Sequence, residues 1–425
     1  MEPSIVKEEI LRPRRGILAL VLGGLTGLGP FTVDMYLPSL PVLAEDFRVG
    51  ASTVQLSLMA CLLGLASGQL VAGPISDARG RRGPVLVGLL IYALASVMAA
   101  WVGRIEGFIA LRFVQGMAGS AGIVIARAIA RDHFEGPELT RFFALLMVVN
   151  GAAPVLAPVI GGQILRVTSW RGVFLVLGGL GILLWLTVWG LLAETHPPHR
   201  RVRGGVRATI GTLGQLLKNA EFLGYVLAQG FAFAAMFSYI SGSSFVLQQE
   251  YGVSAQGFSA VFAVNGIGIV LSGQIAARAA VRWGERRVLG VSLVVAVLGS
   301  LLLLGGVMAR AGLALVLPTL FVAIAVVGAI STMCSSLALQ DHGRVAGSAA
   351  AWLGVSGQLI GGLVTPLVGL GPGRIAITMA GLIMICHLFA AVVYKLLSGR
   401  RAAMDQAEEA GVPGPFQNVG PTKEG

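Results

Sequence analysis

The stretch Thr32-Val33-Asp34-Met35-Tyr36-Leu37-Pro38-Ser39-Leu40-Pro41 closes an apolar run that begins near Gly16. Such a run is long enough to cross a bilayer, which takes about 20 apolar residues. Counted from Gly16 at about 1.5 Å per residue, Asp34 stands roughly 27 Å along the helix, short of the end of the run near Leu40. A carboxylate at that depth costs on the order of 2.5–3.5 kcal/mol on insertion scales. Water in a cavity, a cationic partner or a proton on the carboxyl itself can offset that cost. The last of these would make Asp34 a switch.

The rest of the chain has the same character. Of 425 residues, 55% are hydrophobic and only 12% charged, and the mean hydropathy is +0.82. A soluble protein would carry about 25% charged residues, so the chain belongs in a membrane. Its net charge of +11 does not point to nucleic acid. The arginines sit in short loops on alternate sides of apolar runs, as the positive-inside rule requires. Cys61, Cys334 and Cys386 lie in apolar segments without metal-ligand spacing and read as packing residues. The five histidines are scattered (His133, His196, His199, His342, His387). A membrane enzyme would cluster such groups, so neither enzyme chemistry nor a metal or cofactor is expected. The basic N-terminus before the first run resembles a signal peptide. That run exceeds a signal core of about 7–15 residues, however, and ends in an acid and prolines instead of a cleavage site. It is expected to be retained.

Spans are expected near 16–40, 53–73, 84–103, 107–130, 139–165, 171–193, 222–248, 256–280, 287–308, 312–338, 345–369 and 374–397. The basic loop 195–220 divides these twelve into an N-terminal bundle, 16–194, and a C-terminal bundle, 221–397. A tail at 1–15 and a polar, disordered tail at 398–425 complete the chain, with both termini expected in the cytoplasm. The halves echo one another. Gly68-Gln69 precedes the turn Arg79-Gly80-Arg81-Arg82, and about 205 residues later Gly273-Gln274 precedes Gly284-Glu285-Arg286-Arg287. Such faint repeats are what duplicated transporter halves leave.

Four further constellations carry chemical meaning. Gly73-Pro74-Ile75-Ser76-Asp77-Ala78-Arg79-Gly80-Arg81-Arg82 is a tight turn whose arginines alone would set topology. Its acid and glycines suggest a latch, with Asp77 paired to Arg131 or to the start of span 11 near Gly347-Ser348. Arg112, in Arg112-Phe113-Val114-Gln115-Gly116, can share a depth with Asp34. It either snorkels to the interface or stabilises the Asp34 charge. The fifth span holds Gly151, Pro154, Pro158, Gly161 and Gly162, which bend a helix and admit close neighbours. The seventh mixes Phe231, Phe233, Phe237, Tyr239 and Phe245 with serines, a lining suited to a roomy pocket or simply to packing.

These motifs together resemble the major facilitator superfamily of transporters across roughly residues 16–397. The turn resembles the superfamily's signature between spans 2 and 3, departing from it at Ala78, where a basic residue is common. Arg112 to Gly116 is similar to the signature linked to proton transfer, and Gly151 to Gly162 to that of antiporters. Asp34 to Pro38 and Ser238 to Ser243 narrow the likeness to the Bcr/CflA drug efflux family. The resemblance implies an all-α protein of twelve transmembrane helices in two pseudo-symmetric six-helix bundles, monomeric, multi-pass in the cell inner membrane. It implies export of small amphipathic drugs, bicyclomycin- or chloramphenicol-like, in exchange for protons. A metabolite such as an amino acid or short peptide is the alternative cargo. Proton coupling falls to Asp34 and Arg112, and the latch to Gly73, Asp77, Arg79, Gly80, Arg81, Arg82 and Arg131. Candidates for the substrate pocket are Tyr36, Gln115, Asn150, Phe237, Tyr239, Ser241, Asn265 and Gln358.

Overall fold

The computed structural model describes residues 15–197, 201, 216, 218–340, 346–371 and 374–397. Among the described residues, twelve helices are long and apolar enough to cross a membrane. Spans 1 to 6 are Gly16–Phe47, Ala51–Arg79, Arg82–Trp101, Ile105–His133, Gly136–Val167 and Trp170–Leu191. Spans 7 to 12 are Ala220–Glu250, Ala255–Trp283, Glu285–Met308, Leu313–Gln340, Ala349–Leu370 and Ile375–Leu397. The tails, most of the linker and Asp341 fall outside the described residues, as do the side chains of Gly347 and Ser348.

Three spans are not the single helices expected. Span 1 stops at Asp34, passes through a 3-10 turn at Leu37–Ser39, and resumes as Leu40–Phe47. Proline is the cause: Pro38 has no N–H for the carbonyl of Asp34, and its ring clashes there. Span 7 ends in a π-helical turn at Val246–Glu250, and span 11 in a 3-10 turn at Thr365–Leu370.

The repeat read in sequence is a repeat of packing. Span 2 lies against span 4 as span 8 lies against span 10, and span 3 pairs with span 6 as span 9 pairs with span 12. A Cβ on Gly68 would strike the Met117 carbonyl, and one on Gly273 would come within 3.3 Å of the Gly328 carbonyl. Both glycines thus let backbones approach, as small residues do between membrane helices. Gly80 and Gly284 follow these spans with φ of +96° and +80°, a region that favours glycine. Large apolar side chains such as Leu94, Met98, Leu183, Leu302 and Phe389 cover the outer spans and remain exposed, as lipid-facing residues would be. The three free cysteines are buried, as packing residues should be.

The halves meet through spans 5 and 8 on one side and spans 2 and 11 on the other. One apolar core, running from Val33 and Leu58 to Phe237 and Met379, belongs to both halves. It lies at the end away from the arginine-rich turns. Toward the turns the core divides in two, one cluster within residues 18–192 and the other within residues 216–390. Hydrogen bonds between the halves gather at the shared end: Ser52 Oγ to the Pro366 carbonyl at 2.9 Å, Gln55 to Ser241 at 3.0 Å, and Gln256 to Gly162 at 3.0 Å. The molecule is closed at that end and parted at the basic one.

Candidate functional site

The break in span 1 is where the two halves are joined. Stopping the helix at Asp34 strips carbonyls of their helical donors, and in a membrane each must be satisfied from elsewhere. Span 4 supplies the first donor, because Arg112 Nη2 gives a hydrogen bond to the Thr32 carbonyl at 2.9 Å. Pro41 offers no N–H to Leu37, and Ser244 Oγ of span 7 bonds that carbonyl at 2.7 Å, beside Leu40 N–H. Gln248, in the π turn, reaches the Pro38 carbonyl at 3.0 Å. The Met35 carbonyl lies so close to Gly161 of span 5 that any Cβ there would strike it. A helix broken by proline thus draws spans 4, 5 and 7 onto itself.

Arg112 is fully buried, so it does not snorkel. Its guanidinium also bonds Gln115, and Gln115 donates to Ser96 Oγ at 2.7 Å. The Tyr36 ring lies beneath it, 4.3 Å from Cζ to centroid, a cation–π contact that recovers part of the lost hydration. Tyr36 in turn shares a hydrogen bond with Ser57 at 3.2 Å. Arg112 and Asp34 share a depth as expected, but among the described residues no ion pair joins them. Arg112 answers a backbone carbonyl instead, which no sequence motif marks.

Asp34 itself is 5% exposed, and its Oδ1 is enclosed with no hydrogen-bond partner among the described residues. The Tyr239 phenol lies within its electrostatic reach. Tyr239 stacks on Phe262 and accepts a hydrogen bond from Asn265 at 3.2 Å. Asn265 Oδ1 and Ser243 Oγ are likewise buried without partners. The joint between the halves therefore encloses unpartnered polar atoms of both, Asp34 and Gln55 of the first and Ser243 and Asn265 of the second.

The other expected residues fall in different places. Phe237, Tyr239 and Ser241 are buried, and the span 7 hydroxyls Ser238 and Ser241 bond backbone carbonyls of Ala234, Ser238 and Thr365. With the halves pressed together here, that lining is packed shut and is not an open pocket. Gln358 accepts from Gln69 across the halves at 3.2 Å, and Asn150 is spent on the Leu146 carbonyl of its own helix. Pro158 and Gly162 seat span 8: Ser259 Oγ bonds the Pro158 carbonyl at 2.8 Å and would be 2.6 Å from a Cβ on Gly162. Pro154 is half-buried, and Gly151 has only Val270 at 3.6 Å from its would-be Cβ.

The basic turn is a separate site at the far end. Its hub is Arg81, which bonds Ser76, Asp77 and Asp132, while Glu194 receives the backbone N–H groups of Arg81 and Arg82. Asp77 thus pairs with Arg81, one turn away, and not with Arg131 as expected. Arg82 reaches the Trp189 carbonyl at 2.6 Å; Arg79 is exposed, and Gly73 lies beside Val124. The second half repeats the device with Arg286 on Glu221 at 2.8 Å. Arg127, inside span 4 and exposed, is the residue that motif-based inspection passes over.

Two duplicated six-helix halves, closed at one end around a broken helix and parted at the other, define a membrane transporter in place of an enzyme. The profile of the Major Facilitator Superfamily matches residues 22–366, and the chain belongs to that superfamily. It is 40% identical over 390 residues to an uncharacterized MFS-type transporter, YdgK, of Bacillus subtilis, covering 91% of this chain and 97% of that one. It is 30% identical to a chloramphenicol resistance protein of Pseudomonas aeruginosa, covering 89% of each. A bicyclomycin resistance protein homolog of Haemophilus influenzae is 33% identical over 68% of this chain and 72% of its own. Among solved structures, an inward-facing, unoccupied bacterial homolog of the lysosomal transporter Spinster superposes with a TM-score of 0.71 at 15% identity, covering 95% of this chain and 99% of that one. The partially occluded, inward-open xylose transporter XylE of E. coli gives 0.70 at 13%, covering 90% and 98%.

Proposed function

We propose that the chain exports small amphipathic, antibiotic-like molecules across the plasma membrane in exchange for protons, by alternating access. The observation that carries this is the Asp34 carboxyl, set in the helix break that joins the halves, with Oδ1 enclosed and unpartnered. An ionised carboxylate without a partner is costly to bury, so the closed arrangement suits a carboxyl that holds a proton. With the basic end in the cytoplasm, as the positive-inside rule orients it, this is the inward-facing state. Release of the proton to the cytoplasm would favour hydration of Asp34 and separation of the halves around it. Cargo would then leave on the outer side, and a proton taken up there would restore the joint. The names of the resistance-protein relatives support the cargo class.

Asp34→Asn keeps the shape and removes the titration. In proteoliposomes under an imposed pH difference it should bind chloramphenicol or bicyclomycin yet fail to concentrate either. Uphill pumping by Asp34→Asn would overturn the proposal.

A further inference from the structure

Span 4 carries two arginines that the proton site does not use. Arg127 and Arg131 stand one helical turn apart near its basic end, and both are exposed. Their direction is given by their neighbours. Ile123, four residues before Arg127, packs on Gly29 of span 1, and Val124, three residues before, packs on Gly73 of span 2. Residues at i, i+3 and i+4 share a helix face, so Arg127 emerges between spans 1 and 2. Those spans meet the second half at the closed end, span 1 on span 7 and span 2 on span 11. Arg127 therefore looks into the gap between the halves, where the core has divided.

Neither guanidinium has a hydrogen bond or an ion pair among the described residues. The nearest carboxylates along these helices are already engaged, Asp77 by Arg81 and Asp132 by Arg81 and Thr195. Arg131 instead adds a like charge beside Arg127. A topology signal would sit beside the turn, as Arg79 and Arg82 do at the very ends of their helices. Arg127 lies six residues before the end of its helix at His133, roughly 9 Å deeper. Planar guanidinium groups match carboxylate and phosphate oxygens in paired hydrogen bonds.

We propose that Arg127 and Arg131 form a reception site for an anionic group, a carboxylate or a phosphate, at the basic end of the gap between the halves, and that the exporter also takes cargo bearing such a group. The anion site stands by itself; only its assignment to cargo rests on the export function proposed above. Arg127 is fifteen residues from Arg112, roughly 22 Å along the helix.

The test uses the full chain in phosphatidylcholine nanodiscs, with naphthaleneacetic acid and its neutral methyl ester as probes. The acid should bind about tenfold more tightly than the ester, and added salt should weaken the acid alone. Arg127→Gln should abolish the preference and leave ester binding as it was, while Arg127→Lys should keep part of it. Equal binding of acid and ester, absence of acid binding, or equal loss of both in Arg127→Gln would each overturn the site. Repeating the titration with phosphatidylglycerol in the disc separates the sources of the anion. Competition by that lipid, present in the natural chain and absent in Arg127→Gln, would make the occupant a headgroup and overturn the assignment to cargo; undiminished acid binding supports it. Because no pH difference is applied, failure of proton coupling in Asp34→Asn leaves this result untouched.

Discussion

The guanidinium of Arg112 reaches from span 4 to the Thr32 carbonyl because the helix bearing that carbonyl ends two residues later, at Asp34. An ammonium could supply charge there, but not the planar fork that serves Thr32 and Gln115 together while lying over Tyr36. Arg112→Lys should therefore cost about 1.5–3 kcal/mol, the worth of a hydrogen bond to a charged group. Thermal unfolding in detergent should show a midpoint several degrees lower than in the natural protein; an unchanged midpoint would mean the fork is dispensable. Asp34 was legible in the sequence because an acid in a long apolar run is conspicuous on any hydropathy scale. The role of Arg112 was less so, since every residue has a carbonyl and nothing in the sequence marks which one has lost its donor.

At the scale of the helix, span 5 shows why a glycine count says less than a glycine's position. Gly151 and Gly161 both read as packing or bending residues, yet only Gly161 meets a backbone atom, the Met35 carbonyl beside Asp34. Gly151→Ala should be tolerated, with up to about 1 kcal/mol gained from helix propensity. Gly161→Ala should lose more than that gain, because overpacking of this kind costs about 1–3 kcal/mol. It should also push span 5 away from the break in span 1. Drug susceptibility of a hypersensitive strain checks the pair: Gly151→Ala should protect as the natural chain does and Gly161→Ala should not. Equal protection would show that the approach at Met35 can relax. The basic turn was legible as a motif and misread in its pairing. Arg81, one turn from Asp77, also reaches Asp132 and so outcompetes Arg131.

At the scale of the molecule, closure at one end rests on few polar contacts between the halves, and two of them come from the end of span 7. Ser244 and Gln248 hold the Leu37 and Pro38 carbonyls, and each hydrogen bond contributes about 0.5–1.5 kcal/mol. Removing both, as Ser244→Ala with Gln248→Ala, should move the population toward the opposite state by about tenfold, since 1.4 kcal/mol is a factor of ten. Spin labels at Gly83 and Ala350, on opposite halves near the basic end, should then report shorter distances. A distance distribution like that of the unsubstituted pair would show that apolar packing alone keeps the far end shut.

Residue chemistry by itself determined the membrane, the twelve spans, the duplication and the acid within the first span. Each is local or periodic: apolar length, loop charge, a repeated glycine and a misplaced carboxylate are visible one segment at a time. The tertiary structure decided the rest. It turned the aromatic and hydroxyl stripe of span 7 inward and shut, chose Arg81 for Asp77 and a carbonyl for Arg112, and left Arg127 facing the gap. These outcomes depend on which helices lie side by side and on which end the halves have parted. A chain written with alternating apolar runs and basic loops is compatible with several such pairings. The packing of glycines against particular backbones, Gly161 on Met35 and Gly68 on Met117, and the side chains that answer the broken first span select one of them.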